Sequence, residues 1–324
     1  MTWQVSNLEK DEWDKQISTF NQRSFHNIYS FGLVKQKQSW NILRILYKKN
    51  NSIISAAQIF YKKKFIFRFI NISGGIEGEI NEIILNDLII FIKEKFGNYH
   101  FTIMNLYSSK SHLNKIGLWK KMIYSYEANL TMKKELSLNI DDLKKTFTKN
   151  WRHNLNRSKK YDYNICINKN PNIQELLDCY DELEKIKSIK IYYTHEELSL
   201  FFKYLKDNII HIEAREGTNL LAFRTLIFNT QFGWDFLASA NLKARKNYST
   251  YRIMYNIFLE SINREVLNID LSGIDPKKNL GVYNFKKGTG AKEFRRYGEL
   301  VYSPIFIIRY VILILIFFKR IFVH

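Results

Sequence analysis

One short stretch, "NIDLSGIDPKKNLGVYNFKKGTG" from Asn268 to Gly290, gathers an acid, several lysines and glycines. An apolar strand ends in Asp270, and a Lys- and Gly-rich run closes on Phe285-Lys286-Lys287-Gly288-Thr289-Gly290. Fixed cations beside glycines can cradle a phosphate, stabilise charge in an acyl transfer, or solvate a turn. The phosphate cradle fails on order. A P-loop reads G-x-x-x-x-G-K-[ST] and opens a helix whose backbone N–H groups surround the phosphate; here the lysines precede the glycines and no Gly-Lys-Ser/Thr occurs. A second group of cations lies in "NWRHNLNRSKKYDYNI", where Arg152, His153, Arg157, Lys159 and Lys160 fall within nine positions. On a short helix they suit the phosphates of a nucleotide or tRNA, the alternative being a solvated basic face.

Other chemistries find little support. The seven histidines, His26, His100, His112, His153, His195, His211 and His324, include no i, i+4 pair and no zinc-binding neighbours, so no metal site is expected. Cys166 and Cys179 are too few for a disulfide framework and fit a reducing compartment. Glu182, Glu184, Glu196 and Glu197 sit on polar helical stretches and read as solvated. With 324 residues, 46% of them hydrophobic, the chain can fill two cores, and three prolines with thirteen glycines leave little for a flexible linker. A net charge of +19 favours anionic partners, namely nucleic acid, nucleotide-linked substrates or an anionic membrane surface. The first residues, "MTWQVSNLEKDEWDK", have acids where a signal peptide carries bases and an apolar run, which gives the expectation of a cytoplasmic protein.

Positioning these groups requires a scaffold, and the scaffold is written twice. Segments 42–70 and 210–238 each read as strand, polar turn, strand, tight turn, strand, with Ser55 matching Ala222 at an offset of 167. An apolar-periodic helix over Glu79–Phe96 and a strand over Tyr99–Met104 follow the first. A helix over Ser249–Arg264 and a strand over Leu267–Leu271 follow the second, at an offset of 169. Three elements repeating in order at half the chain length predict two copies of one mixed α/β domain.

The hairpin meander, helix and return strand are the element order of the GNAT acyltransferase core. Over nearly its whole length the chain resembles the FemAB/FemX family, tandem-GNAT proteins that attach amino acids from aminoacyl-tRNA to peptidoglycan precursors, and their N-acyltransferase relatives of surface polysaccharides. Arg152, Asn154, Leu155 and Lys160 stand on positions of the family's basic helix, with Ser158 where Ala is usual and Asp162 where Gly is usual. Asp270-Leu271-Ser272-Gly273 matches the family's D-x-x-G, and "GVYNFKKGTG" its G-x-x-x-F-K-x-x-F-G, with Thr289 in place of the second aromatic. The resemblance implies that Lys286 is catalytic. A fixed cation there would stabilise the oxyanion that develops when an amine attacks an acyl carbonyl. It also implies substrate contacts at Arg152, Asn154, Lys160, Asp270 and Phe285, to which the cation cluster adds Arg157, and, through the spacing of Ser30 and Lys37 in "NIYSFGLVKQKQSW", at Lys37, although Leu33 takes a usual Trp position.

One departure bears on the donor. The CoA-binding loop of GNAT proteins, Q/R-x-x-G-x-G/A, is replaced by Arg245-Lys246-Asn247-Tyr248-Ser249-Thr250, without glycines. In the first copy "SGGIEGE" (73–79) has glycines, but Glu77 and Glu79 would repel a pyrophosphate. The donor is then expected to be aminoacyl-tRNA or an acyl-CoA or acyl-carrier thioester, with no resident cofactor. The sequence reading is an α/β protein of two tandem GNAT-like domains, 1–147 and 148–300, packed around a cleft that takes a nucleotide- or lipid-linked amine acceptor. The tail, 301–324, is expected either to complete the first domain's core or to lie on the inner membrane face; its apolar run Tyr310–Phe318 has nine residues, short of a span of roughly 20. Arg309 and Arg320 would fall on one helical face and reach headgroups. A non-catalytic RNA-binding or membrane-scaffold protein on the same fold is the alternative.

Overall fold

The computed structural model describes residues 2–20, 24–109, 115–122, 129–187 and 193–323. His112 and His324 lie outside them, and so do the side chains of Lys319 and Arg320. The chain divides into two compact units, Met1–Asn129 with Arg295–His324, and Leu130–Phe294. Those divisions fall earlier than 147/148 and 300/301, because 130–147 forms a strand and helix of the second unit while residues from Arg295 on form a strand of the first.

In unit 1 the meander is β2 (Asn41–Lys49), β3 (Ser52–Lys64) and β4 (Phe67–Ile72), after β1 (Thr2–Val5), α1 (Lys10–Ser18) and α2 (Tyr29–Lys37). Asn50 and Asn51, at φ 48° and 65°, make the two-residue turn that such a hairpin needs. Then come β5 (Glu77–Gly78), α3 (Glu82–Phe96), β6 (His100–Ser109), β7 (Lys120–Lys121), and, late in the chain, β14 (Lys292–Tyr302) and α11 (Phe306–Val323). The sheet order is β1-β2-β3-β4-β6-β14, antiparallel except for β4 and β6, which run parallel from Arg68↔His100 to Ile72↔Met104. Asn81 caps α3 by accepting from Ile84 N, and Gly97 at φ 75° ends it. Its apolar stripe, with Leu85, Leu88 and Ile92 fully buried, packs on Ile45, Ile59, Ile70 and Met104. On another cluster, Phe101 and Ile103 meet Ile308, Ile312, Leu313 and Ile316 of α11. The tail is therefore a helix with one face on the core of unit 1, not a strand.

Unit 2 opens with β8 (Leu130–Glu135), α4 (Ile140–Thr146), α5 (Lys149–Ser158) and β9 (Asn164–Ile167), followed by α6 (Ile173–Lys187) and α7 (His195–Tyr204). Its meander is β10 (Ile209–Glu216), β11 (Asn219–Asn229) and β12 (Phe232–Ala240); α8 (Leu242–Lys246), α9 (Ser249–Asn263), β13 (Asn268–Gly273) and α10 (Leu280–Gly288) follow. The order is β8-β13-β12-β11-β10-β9, again antiparallel except for one pair, β12 and β13. Ile253, Met254, Ile257 and Phe258 of α9 bury against Ile210, Ile212, Leu226, Ile269 and Leu271. Both units thus carry the meander, helix and parallel return strand that the repeat predicts, and the fold is mixed α/β.

Candidate functional site

The Lys- and Gly-rich run after the strand is helical. Residues 280–288 form α10, so Lys286 projects from a helical turn rather than a mobile segment. The glycines have structural reasons. A Cβ on Gly288 would come within 2.7 Å of Trp151 Cδ1, and Gly290 lies at φ +82° with its Cβ direction 2.4 Å from the Thr146 carbonyl. Buried Thr289 donates its hydroxyl to the Lys286 carbonyl at 2.7 Å and closes the helix end. "GTG" is therefore a helix stop packed on α5.

Helical geometry separates the two adjacent lysines. Lys287 is exposed and donates to the Tyr283 hydroxyl at 3.2 Å. Lys286 is 6% exposed and donates to the Gly273 carbonyl at 3.0 Å, at the end of β13. Burial holds its ammonium below the ordinary lysine range; Asp235 and Asp270 oppose that shift, and Arg224 adds to it. Arg224 on β11 and Asp235 on β12 form a buried ion pair at 2.5 Å, which leaves Asp235 Oδ1 buried with no partner among the described residues. The parallel ladder between β12 and β13 ends at Trp234↔Asp270. Past it Ser272, at φ +63°, donates its hydroxyl to the Asp235 carbonyl, while Asp270 accepts from the Thr131 hydroxyl and, at 2.8 Å, from Ser272 N. A left-handed serine braced on both sides is a fixed strain next to the Gly273 carbonyl that Lys286 meets.

An aromatic wall adjoins this cluster. Phe285 lies 5.0 Å from Tyr251 and 6.1 Å from Trp151, ring centre to ring centre, and Arg224 covers its ring at 5.6 Å. Asn154 donates to the Tyr251 hydroxyl at 3.0 Å, so it braces α5 on α9. Arg152 and Lys160 are exposed, and Arg157 stacks on the Tyr248 ring at 4.8 Å. Tyr248 precedes α9 at φ +59°, where the Asn247 side chain accepts from Ser249 N at 3.1 Å. That amide is used within the fold.

In unit 1, Lys37 is exposed at the end of α2. Its neighbours Gln36, Ser39 and Trp40 line a pocket of about 500 Å³ with Tyr29, Arg44 and Tyr61; Lys37 does not. The Arg44 guanidinium lies 3.4 Å from the Tyr29 ring centre, and its buried Nε has no partner among the described residues. Glu77 is buried, accepting from Ser24 N at 2.6 Å and Asn27 at 3.1 Å, so it is a structural acid rather than a charge facing a ligand. No group of His, Cys, Asp and Glu among the described residues could hold a metal.

No protein-family model matches the chain, and no curated protein matches its sequence. Solved structures do. FemX superposes with a TM-score of 0.77 at 13% identity, over 93% of this chain and 97% of that one. The tandem GNAT protein from the clavulanic acid biosynthesis pathway aligns at 0.55 and 8% identity, over 94% and 98%. The chain has the tandem GNAT fold. L-PGS from Bacillus licheniformis also aligns, at 0.55 and 12% identity over 94% and 96%.

Within this tandem GNAT fold the structure gathers Lys286, Asp270 and Phe285 into one region of unit 2, while Arg152, Arg157 and Lys160 lie on α5 and just beyond it. Lys37 belongs to unit 1 and is not part of that group. Sequence reading missed Arg224 and Asp235. Their signal was available: an Arg inside "LLAFRTLIFN" and an Asp inside "FGWDFLASA" are opposite charges in two apolar strands of one meander.

Proposed function

We propose that the protein is an aminoacyl- or acyltransferase that forms an amide on an amine of a nucleotide- or lipid-linked cell-envelope precursor. The observation that carries this reading is a buried lysine, Lys286, held between Asp235, Asp270 and Arg224 at the end of a return strand on a tandem GNAT fold. A lysine taken out of water beside two acids stays a point charge with a fixed direction. Such a charge is worth most against an oxyanion that exists only in the transition state.

In the reaction the amine nitrogen attacks the acyl carbonyl, a C–N bond forms, the bond from the acyl carbon to the donor's oxygen or sulfur breaks, and the proton lost by nitrogen ends on that leaving atom. Lys286 faces the carbonyl oxygen as it gains charge. The Asp235 carboxylate, its Oδ1 buried, supports the charge of the Lys286 ammonium from the protein side. Buried surroundings strengthen both contacts. Aminoacyl-tRNA is the donor we favour: Asn247 occupies the first amide of α9, glycines are absent there, and Arg157 on Tyr248 with Tyr161 nearby offers cation and ring faces for a nucleic-acid end.

The test is incubation of the protein with charged tRNAs, acyl-CoAs and amino-bearing nucleotide- or lipid-linked precursors, followed by mass spectrometry of the acceptor. An acceptor heavier by an acyl or aminoacyl residue supports the reading. Binding of tRNA with no product from any donor favours an RNA-binding protein on this fold.

A further inference from the structure

Unit 1 leaves a large apolar surface open. α11 buries one stripe on Phe67, Phe69, Phe101 and Ile103. Its opposite stripe, Phe306, Ile307, Tyr310, Ile314, Leu315 and Phe318, is 47% to 69% exposed. The charged side chain described along it, Arg309, folds over the rings of Phe306 and Tyr310 at 5.4 and 5.3 Å. An apolar helix face of this length is not what a protein surrounded by water presents.

A second element stands beside it. The β3–β4 turn is Phe65-Ile66, 86% and 65% exposed. Phe65 sits at φ +55°, where glycine or asparagine costs the fold less than a bulky ring. Stability of the hairpin therefore does not explain the residue. The next apolar position, Phe67, joins the cluster that holds α11, so tip and helix flank one patch.

The charge around this patch selects its partner. Lys62 and Lys64, exposed immediately before the tip, pair with Phe69 and Phe67 and so share the sheet face that carries α11. We propose that this face docks on an anionic lipid bilayer, with α11 lying in the interface, Phe65 and Ile66 inserting beside it, and the lysines meeting headgroup phosphates. No helix among the described residues is long and apolar enough to cross the bilayer. A second copy of the chain fits less well, since pairing this face with itself brings its lysines together. The surface lies in unit 1 and is independent of the Lys286 chemistry.

Flotation of the full-length protein with phosphatidylcholine vesicles, with and without phosphatidylglycerol, tests the surface. The protein floats with the phosphatidylglycerol vesicles and loses binding as salt rises. Phe65→Ser with Ile66→Ser, at exposed positions, weakens binding about tenfold or more, and each of Lys62→Gln and Lys64→Gln weakens it about fivefold. Ile314→Glu with Leu315→Glu abolishes it, with unchanged circular dichroism. Absence of flotation, or equal flotation of all the variants, overturns the proposal. So does a dimer in sedimentation velocity that Ile314→Glu with Leu315→Glu dissociates while vesicles capture nothing.

Discussion

The two copies of the fold treat the same place on the return strand differently. In unit 1, Phe101 stands 169 positions before Asp270 and is fully buried; β4 and β6 pair over five residues, and α11 covers Phe101 and Ile103. In unit 2 the parallel pairing stops after three residues, and polar groups follow: Asp235, Asp270, Ser272 and, from α10, Lys286. One copy seals the position with apolar side chains. The other keeps it charged and leaves a carboxylate oxygen unsatisfied, at a desolvation cost that an ordinary core avoids. A duplicated scaffold thus separates stability from chemistry: the same strand carries packing in one copy and the candidate site in the other.

The largest expected effect would break the comparison on the packing side. Phe101→Ala should lower stability by about 3–5 kcal/mol in urea denaturation, since an aromatic ring is lost from a filled core. Turnover per folded molecule should not change. A loss of turnover in the stable fraction would mean that unit 1's strand also carries chemistry.

On the charged side, pH sharpens the contrast. The Lys286 ammonium is depressed by burial and partly restored by Asp235 and Asp270, so activity that needs its charge falls as pH rises through a pKa below the usual lysine value. Asp235→Asn removes one restoring charge, and the alkaline limb of the normalised profile moves to lower pH. Lys134, pushed down to about 8 by burial, could produce a limb of its own. Lys134→Met separates the two, because the limb stays in place if Lys286 causes it.

The smallest effect concerns the basic helix. Replacing Arg152, Arg157 and Lys160 by Ala should lower the slope of log K against log salt for tRNA binding by about 2, at roughly 0.7 for each phosphate no longer neutralised. An unchanged slope would assign these side chains to a solvated face.

Much of this architecture was legible because period and order survive in sequence. Alternating apolar residues marked both meanders, and the 3.6-residue period marked α3 and α9. α10 was harder: "NLGVYNFKKGTG" is rich in glycine and lysine, and its helical state depends on Trp151 filling the space over Gly288 and on Thr289 closing the end. Lys286 and Lys287 are indistinguishable as letters; a helical turn of about 100° per residue buries one and exposes the other. Asn154 also braces the fold through a hydrogen bond to Tyr251, a partner 97 residues away that spacing does not reveal. Glu77 looked like a repelling charge for the same reason, since Ser24 and Asn27 reach it only in the fold.

That contrast between adjacent lysines supplies the most direct measurement: single-turnover rates and acceptor affinity for Lys286→Met and Lys287→Met, made on the donor and acceptor pair that yields product. The account predicts that Lys286→Met slows the chemical step by about two orders of magnitude or more with acceptor affinity nearly unchanged, because the interaction belongs to the transition state, and that Lys287→Met does little. Equal effects from the two substitutions, or none from either, would contradict it.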